Sequence, residues 1–257
     1  MPRPKDTSSG PRPATEMLIL AGGFGTRLRS VVADLPKPMA PVRGRPFLEY
    51  LLDYWIGNGV SRFALSTGYL GELIAKHFGD SYRSARIEYI REDSPLGTGG
   101  AIRMGLTVIA WRERHVLIAN GDTWFEVDLP ALRSVRPEAP VAIAAKRLAF
   151  NDRYGGMTLD SEGYVTAFGV GPPDNTVINA GCYLVDREIL GPELQNYPPV
   201  FSFEQQTLVD LARRRLIAAS VQTGEFLDIG IPADFAKAGK MIAQSSVPTD
   251  KIGRAHV

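Results

Sequence analysis

The stretch Met17–Val42, MLILAGGFGTRLRSVVADLPKPMAPV, runs from an apolar segment through a glycine-rich turn to two arginines and a lysine set between prolines. In open α/β sheets, ligands sit beyond the carboxyl ends of the strands, so a glycine turn after a first strand is where a ligand is expected. Gly22, Gly23 and Gly25 lack Cβ, which lets backbone N–H groups approach anionic oxygens closely. Two familiar phosphate loops fail on the residues. A dinucleotide fingerprint needs G-x-G-x-x-G, but Gly23-Phe24-Gly25 is followed by Thr26, Arg27 and Leu28. A Walker A loop needs a Gly-Lys pair, and none occurs in this stretch. What remains is a cradle of amides with a guanidinium, Arg27, and a downstream ammonium, Lys37. Arginine offers a planar fork to phosphate oxygens and lysine a compact point charge. Together they suit a polyphosphate whose charge shifts during reaction.

Outward from this stretch, strands and helices alternate. MLILA (17–21) is a short buried-strand pattern, and apolar residues at 47, 48, 51, 52, 55 and 56 have helical spacing that stops at Asn58-Gly59. Strand patterns at 61–68, 85–92 and 115–122 alternate with helical ones at 71–79 and 99–111. This order predicts βαβ units and a parallel sheet covered on both faces. The second half is less regular. PVAIAAKRL, GGMTLD, GYVTAFGV, TVINAGCYLV and RLIAASVQ read as strands. SFEQQTLVDLARRR reads as a helix capped by Ser202, and PADFAKAGKMIAQ as a closing helix with Pro232 in its first turn. The expected fold is one α/β domain with a Rossmann-like mixed, mostly parallel central sheet flanked by helices, and a smaller β portion closing over the site.

Residues 1–15, rich in Pro, Ser and Arg, are expected to be a disordered tail, 16–245 the folded domain, and 246–257 a second disordered tail. The terminal IGRAHV (252–257) coincides with one reading frame of a common sequencing adapter. It is set aside as a sequencing artefact, and His256 with it.

Apolar content of 44%, charged content of 22% and a net charge of +1 are those of an ordinary globular protein. They argue against broad electrostatic capture of nucleic acid or of an anionic membrane. Neither a membrane-length apolar run nor a signal-peptide core is present, and the single cysteine, Cys182, fits a reducing compartment. A cytoplasmic location is expected. The three histidines form no acid–base or metal constellation, and no Gly-x-Ser-x-Gly elbow occurs.

LAGGFGTRL followed by PKPMAPV resembles the signature of the sugar-1-phosphate nucleotidyltransferases, and the similarity runs from Met17 to about Ala243. PLGTGGAI (95–102) resembles the family's loop along the nucleobase, and IANGDTWF (118–125) the strand end whose aspartate holds a metal. RYGG and INAG resemble its sugar-site segments, and FLDIGIPADF its second metal segment. The resemblance implies the nucleotide-diphospho-sugar transferase fold. It implies Arg27 and Lys37 as the catalytic, phosphate-stabilising pair, and Asp122 and Asp228 as ligands of Mg²⁺. It further implies Leu20, Ala21, Gly22, Gly23, Gly25, Thr26, Gly97 and Thr98 at the nucleotide, and Gly155, Asn179 and Glu204 at the sugar.

The aspartates also make sense by themselves. Asp122 follows a buried strand run and Gly121, and Asp228 follows an apolar stretch and precedes Gly230; such an Asp is often only a turn residue, but two of them added to a cationic phosphate loop match Mg²⁺, which takes one or two carboxylates and completes its shell with water and phosphate. For Glu204, at a helix start, a capping role stands beside a sugar-hydroxyl contact.

The expected reaction is in-line attack by the phosphate of a sugar 1-phosphate on the α-phosphorus of a nucleoside triphosphate, releasing pyrophosphate. Within the family, FSFE, NDRYGG and DIGIPADF resemble the branch that uses GTP and a D-glycero-α-D-manno-heptose 1-phosphate. Mannose and N-acetylmuramate 1-phosphates, with GTP or UTP, are the alternatives, as is a nucleotide-sugar sensor or regulatory subunit without turnover. One departure stands out. Many relatives carry Glu-Lys after the strand equivalent to GYVTAF, where this chain has Gly169 and Val170; Lys146 and Arg153 are candidates to compensate. The oligomeric state is left open, a homo-oligomer included, and no hexapeptide β-helix repeat follows the domain.

Overall fold

The computed structural model of the protein describes residues 15–23, 34–150, 154–169, 174–230 and 232–244. Its first half follows the alternation of the sequence: β1 (Thr15–Leu20), β2 (Pro41–Val42), β3 (Arg45–Pro46), α1 (Phe47–Gly57), β4 (Val60–Thr67), α2 (Gly71–Phe78), β5 (Ser81–Tyr82), β6 (Ala85–Arg91), α3 (Gly97–Val108) and β7 (His115–Asn120). The second half holds β8 (Thr123–Phe125), α4 (Leu129–Ser134), β9 (Val141–Phe150), β10 (Gly156–Leu159), β11 (Val165–Gly169), β12 (Asp174–Asp186) and α5 (Arg187–Leu194). A π-helical turn (Phe203–Thr207) then leads into α6 (Leu208–Arg213), β13 (Ile217–Gln222), β14 (Phe226–Asp228) and α7 (Pro232–Gln244).

β7, β1, β4 and β6 lie side by side and parallel. The reason is legible in β1. Met17 and Ile19 face one apolar cluster and Leu18 the other, so the strand is buried on both faces. α1 packs Phe47, Leu48, Leu51, Leu52 and Trp55 into the first cluster, while Ile102 of α3 enters the second. α1 stops where Gly59 takes φ +92°, a conformation open to glycine at no steric cost.

The smaller β portion expected over the site is the antiparallel half of this same sheet, which contains ten strands. β12 pairs with β9 along most of its length, while its opposite edge changes partner: Val177 and Ile178 pair with β10, and Cys182 to Asp186 with β7. The change coincides with a bulge between Asn179 and Cys182. A bulge bends a strand and increases its twist, so β10 and β7 diverge here and leave a gap floored by residues 179–181.

Three differences from the sequence reading have physical causes. Thr15, assigned to the N-terminal tail, opens β1: it pairs with Val60, is buried, and its Oγ1 accepts a hydrogen bond from Arg133 at 3.0 Å. The helix expected from Ser202 begins as a π-helical turn, although Ser202 does cap it, accepting from Gln205 N at 3.1 Å. β2, β3, β8 and β14 are two or three residues long, too short to show a period, and exist only through their partners. Residues 1–14 and 245–257, including IGRAHV, lie outside the described residues. No described helix is long and apolar enough to cross a membrane.

Phe63, fully buried in β4, belongs to the cluster beneath α1. Phe63→Ala is expected to cost about 3–5 kcal/mol of stability, as a fall in urea midpoint at unchanged slope.

Candidate active site

Two clefts open at the carboxyl ends of the parallel strands. The first, about 340 Å³, is lined by the end of β1 (Leu20, Ala21, Gly22, Gly23), by Lys37 and Pro38, by Glu92 after β6, by Gly97 and Thr98 of α3, and by Asn120 and Asp122 after β7. Every described residue expected at the nucleotide is in this wall. Gly25, Thr26 and Arg27 lie outside the described residues.

Local geometry explains each placement. Pro36 is extended at φ −64° and ψ 144°, and Pro38 stands inside the following 3₁₀ turn (Lys37–Met39). Two pyrrolidine rings thus restrict the backbone on both sides of Lys37, and the burial of Pro38 and Met39 anchors the turn. The lysine side chain is only 11% exposed, and its ammonium pairs with Asp122 Oδ2 and lies 3.6 Å from Asp228 Oδ1. Asp122 is delivered by Gly121, whose N–H donates to Leu20 O at 2.8 Å; a Cβ there would stand 2.8 Å from that same oxygen. Asp228 arrives from the other end of the chain because β14 pairs antiparallel with β8, setting Asp228 opposite Thr123. Gly230 N donates to Asp228 Oδ1 at 2.6 Å and Ile229 N to Asp122 O at 3.0 Å.

The two carboxylates therefore face one cation already, and the hard oxygen donors and the charge fit Mg²⁺. No group of three or more His, Cys, Asp or Glu that could hold a metal occurs among the described residues. An ion held here would complete its shell with phosphate and water.

The second cleft, about 490 Å³, lies over the gap in the sheet. Gly155, Asn179, Glu204 and Asp228 line it, and Asn120 lines both clefts. The bulge in β12 aims Asn179: its Oδ1 accepts from Gly181 N at 2.9 Å and its Nδ2 donates to Tyr183 Oη at 2.8 Å. Complete burial holds the Tyr183 phenol well above its usual range, so it stays neutral. Its neighbour Cys182 is inert for the same reason, its thiol pushed up to about 12.

No lysine or arginine is among the lining residues described for this cleft; its charged members are Glu204 and Asp228. Lys146 does not supply the missing cation. Its Nζ donates to Thr223 O and Gly224 O, both at 2.7 Å, and so holds the turn that leads into β14. A lysine pointing along β9 finds these carbonyls because β13 is paired beside it. Gly169 lines the cleft, while Arg153 and Val170 lie outside the described residues.

Glu92 and Gln205 also line the clefts and were not singled out in the sequence, while Asn120, Tyr154 and Phe226 fall within segments singled out for their neighbours. Glu92 and Asn120 had a usable signal, since each stands at the carboxyl end of a parallel strand. Glu92 Oε1 accepts from Ser66 Oγ at 2.9 Å and Oε2 from Leu96 N at 3.2 Å. Gly22 makes room for it, since a Cβ on Gly22 would lie 2.7 Å from Oε1.

Gly181 sits at φ +69°, and a Cβ there would stand 2.6 Å from Asn120 Nδ2. Gly181→Ala is expected to cost about 1–2 kcal/mol through its left-handed backbone. By displacing Asn120 and Asn179 it should also weaken sugar 1-phosphate binding, measured by titration calorimetry.

The Nucleotidyl transferase family pattern matches residues 16–245. Over 227 residues the chain is 38% identical to the D-glycero-alpha-D-manno-heptose 1-phosphate guanylyltransferase of Aneurinibacillus thermoaerophilus, covering 88% of this chain and 97% of that one. It is 36% identical over 222 residues to the protein of the same name from Campylobacter jejuni, covering 86% and 96%. Its fold matches the crystal structure of HddC from Yersinia pseudotuberculosis complexed with GMP-PN, with a TM-score of 0.75, 33% identity, and coverage of 88% and 98%. With the glycine turn after β1, the paired aspartates and the double cleft, this extent of similarity places the chain in the nucleotidyl transferase family.

Proposed function

We propose that this chain transfers GMP from GTP to D-glycero-α-D-manno-heptose 1-phosphate, giving the GDP-heptose and pyrophosphate, with Mg²⁺ held at Asp122 and Asp228. The observation that carries the reading is the junction of the clefts. Lys37 and Asp122 belong to the first, Asp228 to the second, and the lysine ammonium stands between the two carboxylates. A nucleotide in one cleft and a sugar phosphate in the other would meet there.

The phosphate oxygen of the sugar 1-phosphate attacks the α-phosphorus of GTP. One P–O bond forms, the bond from the α-phosphorus to the bridging oxygen breaks, and pyrophosphate departs with the electron pair. The nucleophile is already an anion, so no general base is needed. Catalysis then consists of alignment and charge neutralisation. Lys37, rigid at its backbone and nearly buried, keeps its ammonium at the junction and holds attacking and transferring phosphates together. Arg27 and the amides of the loop after β1 would stabilise the departing pyrophosphate. A bound Mg²⁺ supplies Lewis-acid neutralisation of phosphate charge.

Glu92 favours guanine. Glu92 lines the first cleft from the β6 side, its carboxylate held by Ser66 of β4 beside Gly22, whereas Asp122 lines it from the β7 side. An ionised carboxylate only accepts hydrogen bonds, and guanine offers N1–H and N2–H donors side by side on one edge. Uracil offers a single such donor, flanked by carbonyls that a carboxylate would repel.

Pyrophosphate release with Mg²⁺, measured over GTP, ATP, UTP and CTP against heptose, mannose and N-acetylmuramate 1-phosphates, tests the reading. The GTP–heptose pair should be fastest; a faster pair would reassign the substrates, and binding without release in every pair would leave a non-turnover sensor. Lys37→Ala should lower kcat about 10²-fold with the fold retained, and near-normal turnover would remove its role. Glu92→Gln should lower kcat/KM for GTP about ten- to a hundredfold while changing UTP little.

A further inference from the structure

The two clefts are joined by a second connection, away from the reacting groups. Thr98, the second residue of α3, lies in the wall of the first cleft, yet its hydroxyl is committed elsewhere. It donates to Glu204 Oε2 at 2.5 Å and accepts from Phe203 N at 2.9 Å. Ser202 Oγ donates to the same carboxylate oxygen at 3.2 Å. Both bonds end on Oε2, and Oε1 accepts none among the described residues, while Glu204 lines the second cleft.

The backbone around this contact is clamped. Gly99 N donates to Phe201 O at 3.0 Å, and Phe201 N to Leu96 O at 3.1 Å. A side chain at Gly97 or Gly99 would collide with Phe201, so the glycines permit this approach. Arg103 of α3 donates to Tyr197 O at 2.9 Å and Pro199 O at 3.0 Å, and its guanidinium lies 5.2 Å from the Phe201 ring centre. The segment that enters the π-helical turn is thus built onto the first turn of α3. π-Helical turns are frequent at functional sites, and this one presents Glu204 and Gln205 to the second cleft.

We infer that Thr98 is a positioning residue: its hydroxyl fixes Glu204 so that one carboxylate oxygen is presented to a sugar hydroxyl, linking the nucleotide wall to sugar recognition. The inference rests on the proposed reading of the second cleft as the sugar site. A hydrogen bond to a carboxylate held by two hydroxyls orients the acceptor before the sugar arrives, and pre-orientation lowers the ordering cost of binding.

The test uses Thr98→Val, Thr98→Ser, Glu204→Gln and the Thr98→Val/Glu204→Gln double variant, each checked by thermal melt. For Thr98→Val, KM for D-glycero-α-D-manno-heptose 1-phosphate should rise about tenfold while KM for GTP changes by less than about twofold. Thr98→Ser should restore the sugar KM to within about twofold of wild type. The double variant should bind the sugar phosphate no more weakly than Glu204→Gln alone, because the hydroxyl acts through that carboxylate. An equal rise in both KM values, failure of serine to rescue, or additive losses in the double variant would each overturn the assignment. Wild-type turnover tests the proposed function and the variant ratios test Thr98, so the two failures are distinguishable. If wild type turns over no pair, the same variant ratios are read from calorimetric dissociation constants of the heptose 1-phosphate.

Discussion

Two carboxylates brought face to face repel unless a cation stands between them, and in this protein the Lys37 ammonium fills that place. Much of the site's construction serves that arrangement. The flanking prolines restrict the lysine backbone, Gly121 lets the end of β7 approach β1, and the β8–β14 pair carries Asp228 to Asp122. The carboxylates are 33% and 21% exposed, so water can reach the group. Lys37 is therefore held in place by two carboxylates that themselves stay open to solvent.

The second cleft has a different origin. It is an opening in the sheet rather than a loop laid over it. β12 leaves β10 and joins β7, and the bulge at the change of partner turns Asn179 toward the opening while Gly181 takes the left-handed conformation that the bulge demands. The parallel strands thus line the first cleft, and β10, β11 and β12 line much of the second. The two clefts meet at Asn120, which lines both.

Much of this was legible in the sequence. The double burial of β1, the helical spacing of α1 and the glycine stops describe a parallel α/β core because each rests on local periodicity and local backbone freedom. Lys37 was legible as a cation just downstream of the glycine turn, and the flanking prolines restrict the backbone that carries it. Asp122 and Asp228 were legible as strand-end residues, but their meeting was not. Glu92 also stands at the end of a parallel strand, but nothing near it in the chain shows that its carboxylate accepts from Ser66 and lies against Gly22. Lys146 shows the converse: a cation near the right strand proved to be spoken for by two carbonyls.

The sequence by itself determined the fold class, the glycine turn after β1 and the types of residue at the clefts, because these depend on periodicity, glycine and proline conformation, and charge within a few neighbouring residues. Only the tertiary structure decided that Asp122 and Asp228 share one cation, that Asn179 points into an opening between β10 and β7, and that Thr98 is bonded to Glu204. Each depends on the pairing of segments distant in the chain, and a strand of three residues such as β8 or β14 carries no pattern that specifies its partner or register.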